Sequence, residues 1–247
     1  MNDTIGRKIA AGNVAEIFEF GARVAKIYKA ATAKPAAFRE AALHAAAEAI
    51  GLPVPRIWGV QRFGDRWGIV FDRVEQPSFA EQMSDKSSET SALLDSLVRL
   101  QVRIHAQRAL HFASLNARLA ANIAAAALLP ERKKQSLLES IVHMPEGDRL
   151  CHGDFHPMNV LGEASQPFII DWPDARRGDP AADVCRSYLL LKLHAAYLAL
   201  PYLDRYCEEA AIPRQTVLDW LPYVAAAKLA EDVPGEVGGL LKIVSSV

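Results

Sequence analysis

The stretch Leu150-Cys151-His152-Gly153-Asp154-Phe155-His156-Pro157-Met158-Asn159-Val160-Leu161 concentrates the groups best suited to chemistry. An apolar run leads into a loop that carries Asp154, His156 and Asn159, and a second apolar pair leads out of it. Ten residues after Leu161, Ile169-Ile170-Asp171-Trp172 sets another carboxylate at the end of a strand-like run. Two strands that each end in a hard oxygen donor can grip Mg2+, which prefers oxygen and leaves part of its octahedron to water and phosphate. Asp154 and Asn159 also suit a plain turn in a loop containing Gly and Pro. A third reading sets His152 and His156 on one helix face as zinc ligands, but Gly153 and Pro157 oppose the continuous helix this needs.

Positioning such a loop takes a core, and 247 residues suffice for one large domain or two small ones at about 100–200 residues each. Of the 51% apolar residues many are thin: there are 41 alanines, and aromatics reach only 8%. That balance favours helices over an all-β sandwich. With 28 Lys and Arg against 29 Asp and Glu the formal charge is −1, which offers no global attraction to nucleic acid or an anionic membrane. Cys151, Cys185 and Cys207 are odd in number and far apart, with no CxxC pair, as expected of reduced thiols in a cytoplasmic protein. The start MNDTIGRKIAAGN lacks the basic-then-apolar pattern of a secretory leader. The longest apolar run, Ile123 to Leu129, falls far short of the roughly 20 residues of a membrane span.

Arg7–Ala11, Val14–Phe20 and Ala22–Tyr28 read as short strands parted by the turn formers Gly12-Asn13 and Gly21. Pro35 opens an Ala-rich helix to about Ile50, stopped by Gly51 with Pro53 and Pro55 beyond. Two further strands, Ile57–Gln61 and Trp67–Val74, are joined at Gly64-Asp65, giving β-β-β-α-β-β. After Gln76 the pattern turns helical. Ser87, Ser88, Glu89 and Thr90 offer caps for a helix with a Leu93, Leu97, Leu100, Ile104 seam, and further helices are expected near 114–129 and 131–142. Short strands return at Arg149–Cys151, Val160-Leu161 and Phe168–Ile170. The remainder reads as helices with Pro180, Pro201, Pro213 and Pro234 each in a first turn. The expected class is α+β: a small antiparallel-sheet lobe with one helix, residues 1–73, and a larger, mostly helical lobe, residues 74–247.

Taken in order, His152-Gly153-Asp154, His156 and Asn159, then Ile170-Asp171-Trp172, then Gly178-Asp179-Pro180 and Asp183 resemble the motifs of the aminoglycoside phosphotransferase and choline kinase superfamily, protein-kinase-like kinases of small molecules. The resemblance covers nearly the whole chain. It implies a bilobal protein-kinase-like fold, with 1–73 binding nucleotide and 74–247 carrying catalysis and the acceptor. It implies Asp154 as the catalytic residue that takes the acceptor hydroxyl's proton, and Asn159 and Asp171 as ligands of Mg2+ on the phosphates of ATP or GTP. Lys26 takes the place of the lysine on the α- and β-phosphates and Glu40 that of its helix partner, with Lys29 and Glu48 as competitors. Lys26 and Lys29 are three apart on a strand, so alternation sends them to opposite faces. Gly12 and Asn13 take the place of the phosphate-covering hairpin, with a single glycine where protein kinases have G-x-G-x-x-G. The backbones of Asp72 and Val74 take the adenine-contacting positions beside Phe71. His152 and Asp183 read as braces of the loop, Asp179 as the N-cap of the helix opened by Pro180, and His156 as a group able to approach the transferring phosphate.

The expected function is transfer of a γ-phosphate to a hydroxyl of a small molecule, in the cytoplasm, without nucleic acid, membrane or an obligate protein partner. Asp179 follows Asp171 by eight residues and no Ala-Pro-Glu intervenes, which leaves no room for a protein kinase's long activation loop. A polycationic aminoglycoside would need carboxylates, for which Glu208, Glu209, Asp219, Glu231, Asp232 and Glu236 are candidates. A choline-like acceptor would need an aromatic cage, drawn from Trp172, Tyr188, Tyr197, Tyr202, Tyr206, Trp220 and Tyr223. A sugar kinase is a further reading, and so is a regulatory nucleotide-binding module without transfer, suggested by the sparse Gly12-Asn13 loop.

Overall fold

The computed structural model describes residues 4–83 and 88–245. Along the chain run β1 (Ile5–Ala11), β2 (Ala15–Phe20), β3 (Arg23–Tyr28), α1 (Lys34–Ala49), β4 (Ile57–Phe63), β5 (Arg66–Asp72), α2 (Phe79–Gln82), α3 (Ser88–His105), α4 (Leu115–Ala125) and α5 (Glu131–Ile141). There follow β6 (Arg149–Cys151), β7 (Val160–Glu163), β8 (Gln166–Ile169), β9 (Arg176–Gly178), α6 (Pro180–His194), α7 (Ala196–Glu209), α8 (Arg214–Leu218), α9 (Leu221–Lys228) and α10 (Val237–Ser245). Single 3-10 turns lie at Pro157–Asn159 and Leu229–Glu231. These elements form two compact units: the described residues up to Glu89 with Pro157–Pro173, and Thr90–His156 with the described residues from Asp174 onward.

The first unit is built on a five-stranded antiparallel sheet of order β1-β2-β3-β5-β4. Its hairpins turn at Gly12-Asn13, Gly21 and Gly64-Asp65. Side-chain alternation divides β3 between two clusters. Val24 and Tyr28 pack with Ala15, Ile69, Phe71 and, from α1, Ala37 and Ala41, whereas Ala25 and Ile27 pack with Phe20, Phe63 and Val70. Lys26 therefore shares the sheet face that α1 covers. The helix buries Ala37, Ala41 and Ala47, whose methyl groups allow close approach, and along the same stripe Glu40 and His44.

α1 ends at a Schellman motif: Leu52 N–H donates to Ala47 O at 3.1 Å and Gly51 N–H to Glu48 O at 3.0 Å. Gly51 adopts φ 78, which a side chain resists. The later segment Pro157–Pro173 is held to this unit by backbone pairing. Ile169 N–H donates to Pro53 O at 2.7 Å and Gly162 N–H to Pro77 O at 3.2 Å, while β7 and β8 form a hairpin of their own. The short α2 is absent from the sequence-based expectation. Its N-terminus is a capping box in which the Ser78 side chain and Glu81 exchange hydrogen bonds with each other's backbone N–H.

In the second unit Leu93, Leu97, Leu100 and Ile104 of α3 are all buried, and α6 is buried over most of its circumference. β6 pairs antiparallel with β9, a strand not expected from the sequence. Asp179 caps α6 by accepting from Ala181 N–H at 2.9 Å. Pro201 does not open a helix but lies inside α7, Pro213 is the N-cap of α8, Pro234 precedes α10 by three residues, and Pro222 lies in the first turn of α9. Pro201 sits only one turn beyond the first residues, whose N–H groups lack intrahelical acceptors in any case, so a single ladder bond is forfeited. α4 stops at Ala125 rather than near 129, because Ala126 turns to an extended conformation. Ser87, offered above as a cap, lies outside the described residues. No helix among the described residues is long and apolar enough to cross a membrane.

Gly51→Ala meets open space, so only the left-handed backbone penalty applies. The expected loss is about 1–2 kcal/mol, read as a lower urea midpoint with an unchanged slope; a loss below a few tenths would contradict the cap.

Candidate active site

In the first unit Lys26 bridges two acids. Its Nζ donates to Glu40 Oε1 at 2.7 Å and to Asp171 Oδ1 at 2.7 Å. Tyr28, two residues along β3 on the same face, donates its hydroxyl to Glu40 Oε2. Burial alone would push the Lys26 ammonium down, but the charges of Glu40 and Asp171 outweigh it and hold the group protonated. Burial pushes Glu40 up from the ordinary carboxyl value against the pull of Lys26. The acids differ in access: the Glu40 side chain is 4% exposed and that of Asp171 40%. Of the competitors, Lys29 is exposed, and Glu48 accepts from Ile57 N–H at 3.2 Å in a structural bond.

Asp171 follows β8 in a left-handed conformation, φ 66. Asp tolerates this region better than most residues, at a cost of order 1 kcal/mol. Just before it, Ile170 N–H donates to Asn159 O at 3.0 Å. Asn159 ends the 3-10 turn and is buried, so its backbone is tied to the residue preceding Asp171. The result is a pair of oxygen-bearing side chains rooted on adjacent backbone positions, a donor set of the hard type that Mg2+ takes.

Gly12 and Asn13 form the exposed β1–β2 turn, with Gly12 N–H donating to Ala15 O at 2.8 Å. Asp72 N–H donates to Arg56 O at 2.9 Å, and its carboxylate accepts from Trp58 Nε1 at 2.7 Å, a contact no sequence pattern indicated. Asp72 and Val74 line an open hollow of about 410 Å³ with Val54, Arg56, Gln76 and Phe168. Neither Lys26 nor the Gly12-Asn13 turn borders it.

In the second unit the loop His152–His156 is shaped by a buried anion. Asp183 accepts from His152 N–H at 3.0 Å, Gly153 N–H at 2.7 Å, His105 Nε2 at 3.0 Å and Gln101 Nε2 at 3.3 Å. Burial would raise its carboxyl, but the hydrogen bond and charge of His105 hold it below the ordinary value. Gly153 has φ 84, and a Cβ there would lie 2.3 Å from Asp174 O. His152 accepts from Asp154 N–H through Nδ1 at 3.3 Å, which commits that nitrogen against a metal. The described His, Cys and Asp groups close enough to share an ion are instead His105, Cys151 and Asp183, all buried, and Asp183 is already saturated by four donors.

Asp154 itself meets two basic groups: Arg186 Nη2 donates to Oδ1 at 2.8 Å, and His156 Nε2 lies 3.4 Å from Oδ2. Burial acts to raise the Asp154 carboxyl, yet the His156 hydrogen bond and the Arg186 charge overcome it and hold the group far below its ordinary value. Beyond Arg186 the ion pairs continue. Its Nη1 donates to Glu231 Oε1 at 2.8 Å; Lys228 reaches Glu231 at 2.8 Å and Glu236 at 2.9 Å; and His194 meets Glu236 at 2.6 Å. Sequence reasoning missed Arg186 and Lys228. The available signal was a cation within an otherwise apolar run, in Val184-Cys185-Arg186 followed by Leu189–Leu191 and in Ala225-Ala226-Ala227-Lys228.

Of the aromatic candidates Trp172, Tyr202, Tyr206 and Trp220 are fully buried. Arg176, five residues after Asp171, is also buried and donates to Ala175 O at 2.7 Å.

A strand lysine paired with a helix glutamate, followed in the chain by a loop Asp, an Asn and a strand-end Asp, is the constellation of protein-kinase-like phosphotransferases. The model of the phosphotransferase enzyme family known as APH matches residues 7–218, and the chain belongs to that family. Solved structures share the fold at low identity. A Haemophilus somnus protein provisionally called a fructosamine-3-kinase is 12% identical with a TM-score of 0.71, covering 99% of this chain and 92% of that one. A Streptomyces rimosus aminoglycoside phosphotransferase in complex with ADP and streptomycin is 17% identical with a TM-score of 0.66, covering 92% and 93%. Choline kinase from Cryptosporidium parvum is 13% identical with a TM-score of 0.54, covering 99% and 84%. A comparison with curated proteins finds no match.

Asp183→Asn tests the anion that shapes the loop. The folded pKa lies below the ordinary value of roughly 3.9, so the stabilisation is present above that value and is lost as pH falls through the folded pKa. The expected cost is at least about 2 kcal/mol near neutral pH, shrinking toward acid. A stability gap that stays constant from pH 7 down to pH 2 would refute this origin.

Proposed function

We propose that the protein transfers the γ-phosphate of a nucleoside triphosphate, ATP in the first instance, to a hydroxyl of a small molecule. The observation that carries the reading is the Lys26 ammonium, half-buried and held charged between Glu40 and Asp171. A fixed cation suits the α- and β-phosphates, since phosphoryl transfer depends on positioning and charge neutralisation. Under this reading residues 1–73 bind the nucleotide, with Gly12 and Asn13 over the phosphates and the Asp72 and Val74 backbones at the adenine, and 74–247 bind the acceptor. Asn159 and Asp171 would hold Mg2+, which when bound neutralises charge on the phosphate oxygens.

Asp154 is the residue for the acceptor. Its carboxylate is ionised at any physiological pH and too weak a base to deprotonate a free alcohol beforehand. It orients the hydroxyl instead. The acceptor oxygen bonds to the γ-phosphorus as the bond to the β–γ bridging oxygen breaks, the nucleoside diphosphate leaves with that electron pair, and the hydroxyl proton passes late to Asp154. Two observations favour a neutral, sugar-like acceptor over a cationic one: Glu231 and Glu236 are already paired with Arg186 and Lys228, and four of the seven aromatic candidates are fully buried.

The deciding experiment is ADP release from MgATP across aminoglycosides, amino alcohols, sugars and nucleosides. Sugars or nucleosides are expected to turn over, and a panel with no acceptor but retained nucleotide binding would favour a regulatory module. Asp154→Asn should lower transfer by at least about 100-fold while ADP affinity, measured by calorimetry, stays within twofold. An active variant would remove Asp154 from the mechanism.

A further inference from the structure

We propose that Arg186 is a positioning residue for Asp154 and that Glu231, held by Lys228, sets how Arg186 grips it. The proposal rests on the reading of Asp154 just given.

The geometry begins on α6. Asp183 and Arg186 are three residues apart and share a helix face. Asp183 fixes the backbone of the loop at His152 and Gly153, and Arg186 reaches the side chain of the same loop at Asp154 Oδ1. One helix turn thus fixes both the path of the loop and the direction of its carboxylate.

The guanidinium is planar, and its two terminal nitrogens most often close on one carboxylate in a two-point fork. Here they are split, Nη2 to Asp154 at 2.8 Å and Nη1 to Glu231 at 2.8 Å. Glu231 occupies the second arm, so Arg186 engages Asp154 through Oδ1, while the side of Oδ2 faces His156 at 3.4 Å. Glu231 could not hold that arm if it were mobile. Lys228, three residues earlier and 4% exposed, pins it and is itself anchored by Glu236, which is 6% exposed. A desolvated cation with two acids is costly to disturb, because removal of one partner leaves an uncompensated buried charge. Rotation of the guanidinium onto both oxygens of Asp154 would turn the carboxylate relative to an acceptor hydroxyl, and misplacements of about 1 Å can cost 100-fold in rate.

The test uses the full-length protein and three variants. Glu231→Gln keeps the size of a partly exposed side chain, so it spares the fold; Arg186→Met removes the cation; Arg186→Lys restores the charge without the fork. In a crystal structure of Glu231→Gln, Arg186 should turn both terminal nitrogens toward Asp154. With MgATP and the acceptor panel above, Glu231→Gln should lower kcat about tenfold and Arg186→Met about 10- to 100-fold, with KM for MgATP within twofold. Arg186→Lys should recover part of the loss, and Glu231→Gln should add nothing in the Arg186→Met background. An unmoved Arg186 in that crystal structure, wild-type kcat in Arg186→Met, or additive effects would each overturn the proposal. Asp154→Asn separates the two levels: if it abolishes transfer while Arg186→Met is wild type, only the positioning role fails, whereas an active Asp154→Asn removes the reading beneath it.

Discussion

The carboxylate of Asp183 is buried and ionised, and an anion in that situation must gather donors from every element within reach. Three helices answer this demand in register. Gln101 and His105 are one turn apart on α3 and both donate to Asp183; Tyr202 and Tyr206 are one turn apart on α7, the first donating to Gln101 and the second bonded to His105; Ser187 lies one turn beyond Asp183 on α6 and accepts from Gln101. Each helix contributes a pair at i and i+4, the spacing that sets two side chains on one face. The remaining donors are the consecutive N–H groups of His152 and Gly153, and consecutive N–H groups converge on one acceptor only where the backbone leaves the β region, which the left-handed Gly153 supplies. The loop bearing Asp154 is therefore shaped by a polar network inside the helical unit, to which Asp154 adds its N–H on His152 Nδ1.

This explains which parts of the molecule were legible before any coordinates. Hairpins, the ends of α1 and the Leu93–Ile104 seam follow local rules of turn residue, cap and period, and they lie where the rules put them. The Lys26–Glu40 contact was within reach through the family resemblance, since alternation only parts Lys26 from Lys29 and the helix pattern alone left both Glu40 and Glu48 open. Arg186, Lys228 and the split fork were not. Nothing local requires a cation in α6 or α9: Arg186 finds both its acids more than thirty residues away, Lys228 meets Glu231 and Glu236 only through the turn that follows α9, and a charged residue reads as surface by default. α2 and β9 escaped for a related reason. Each is very short, and α2 is fastened to β7 by Gln82 Nε2 donating to Gly162 O at 2.8 Å, a bond between residues eighty apart in sequence. Pro201 shows the opposite error, where a local rule was followed and the helix simply ran through it.

The two units solve one electrostatic problem in the same way. Lys26 lies between Glu40 and Asp171, Arg186 between Asp154 and Glu231, and in each case a half-buried cation is fixed by two acids, which in the first unit differ in access. A cation with one acid swings about a single contact; with two, it is located. The inequality then decides which contact can change. Glu40 is almost wholly buried and also receives the Tyr28 hydroxyl, so releasing it would strand a charge without water. Asp171 is exposed to ten times that extent and can exchange Lys26 for another cation at small cost in desolvation. The permanent half of the bridge holds the lysine in place, and the exchangeable half leaves both the lysine and the carboxylate able to take new partners. Under the proposed function, a phosphate and a divalent cation arriving together would supply one new partner of opposite sign to each and leave neither charge unpaired.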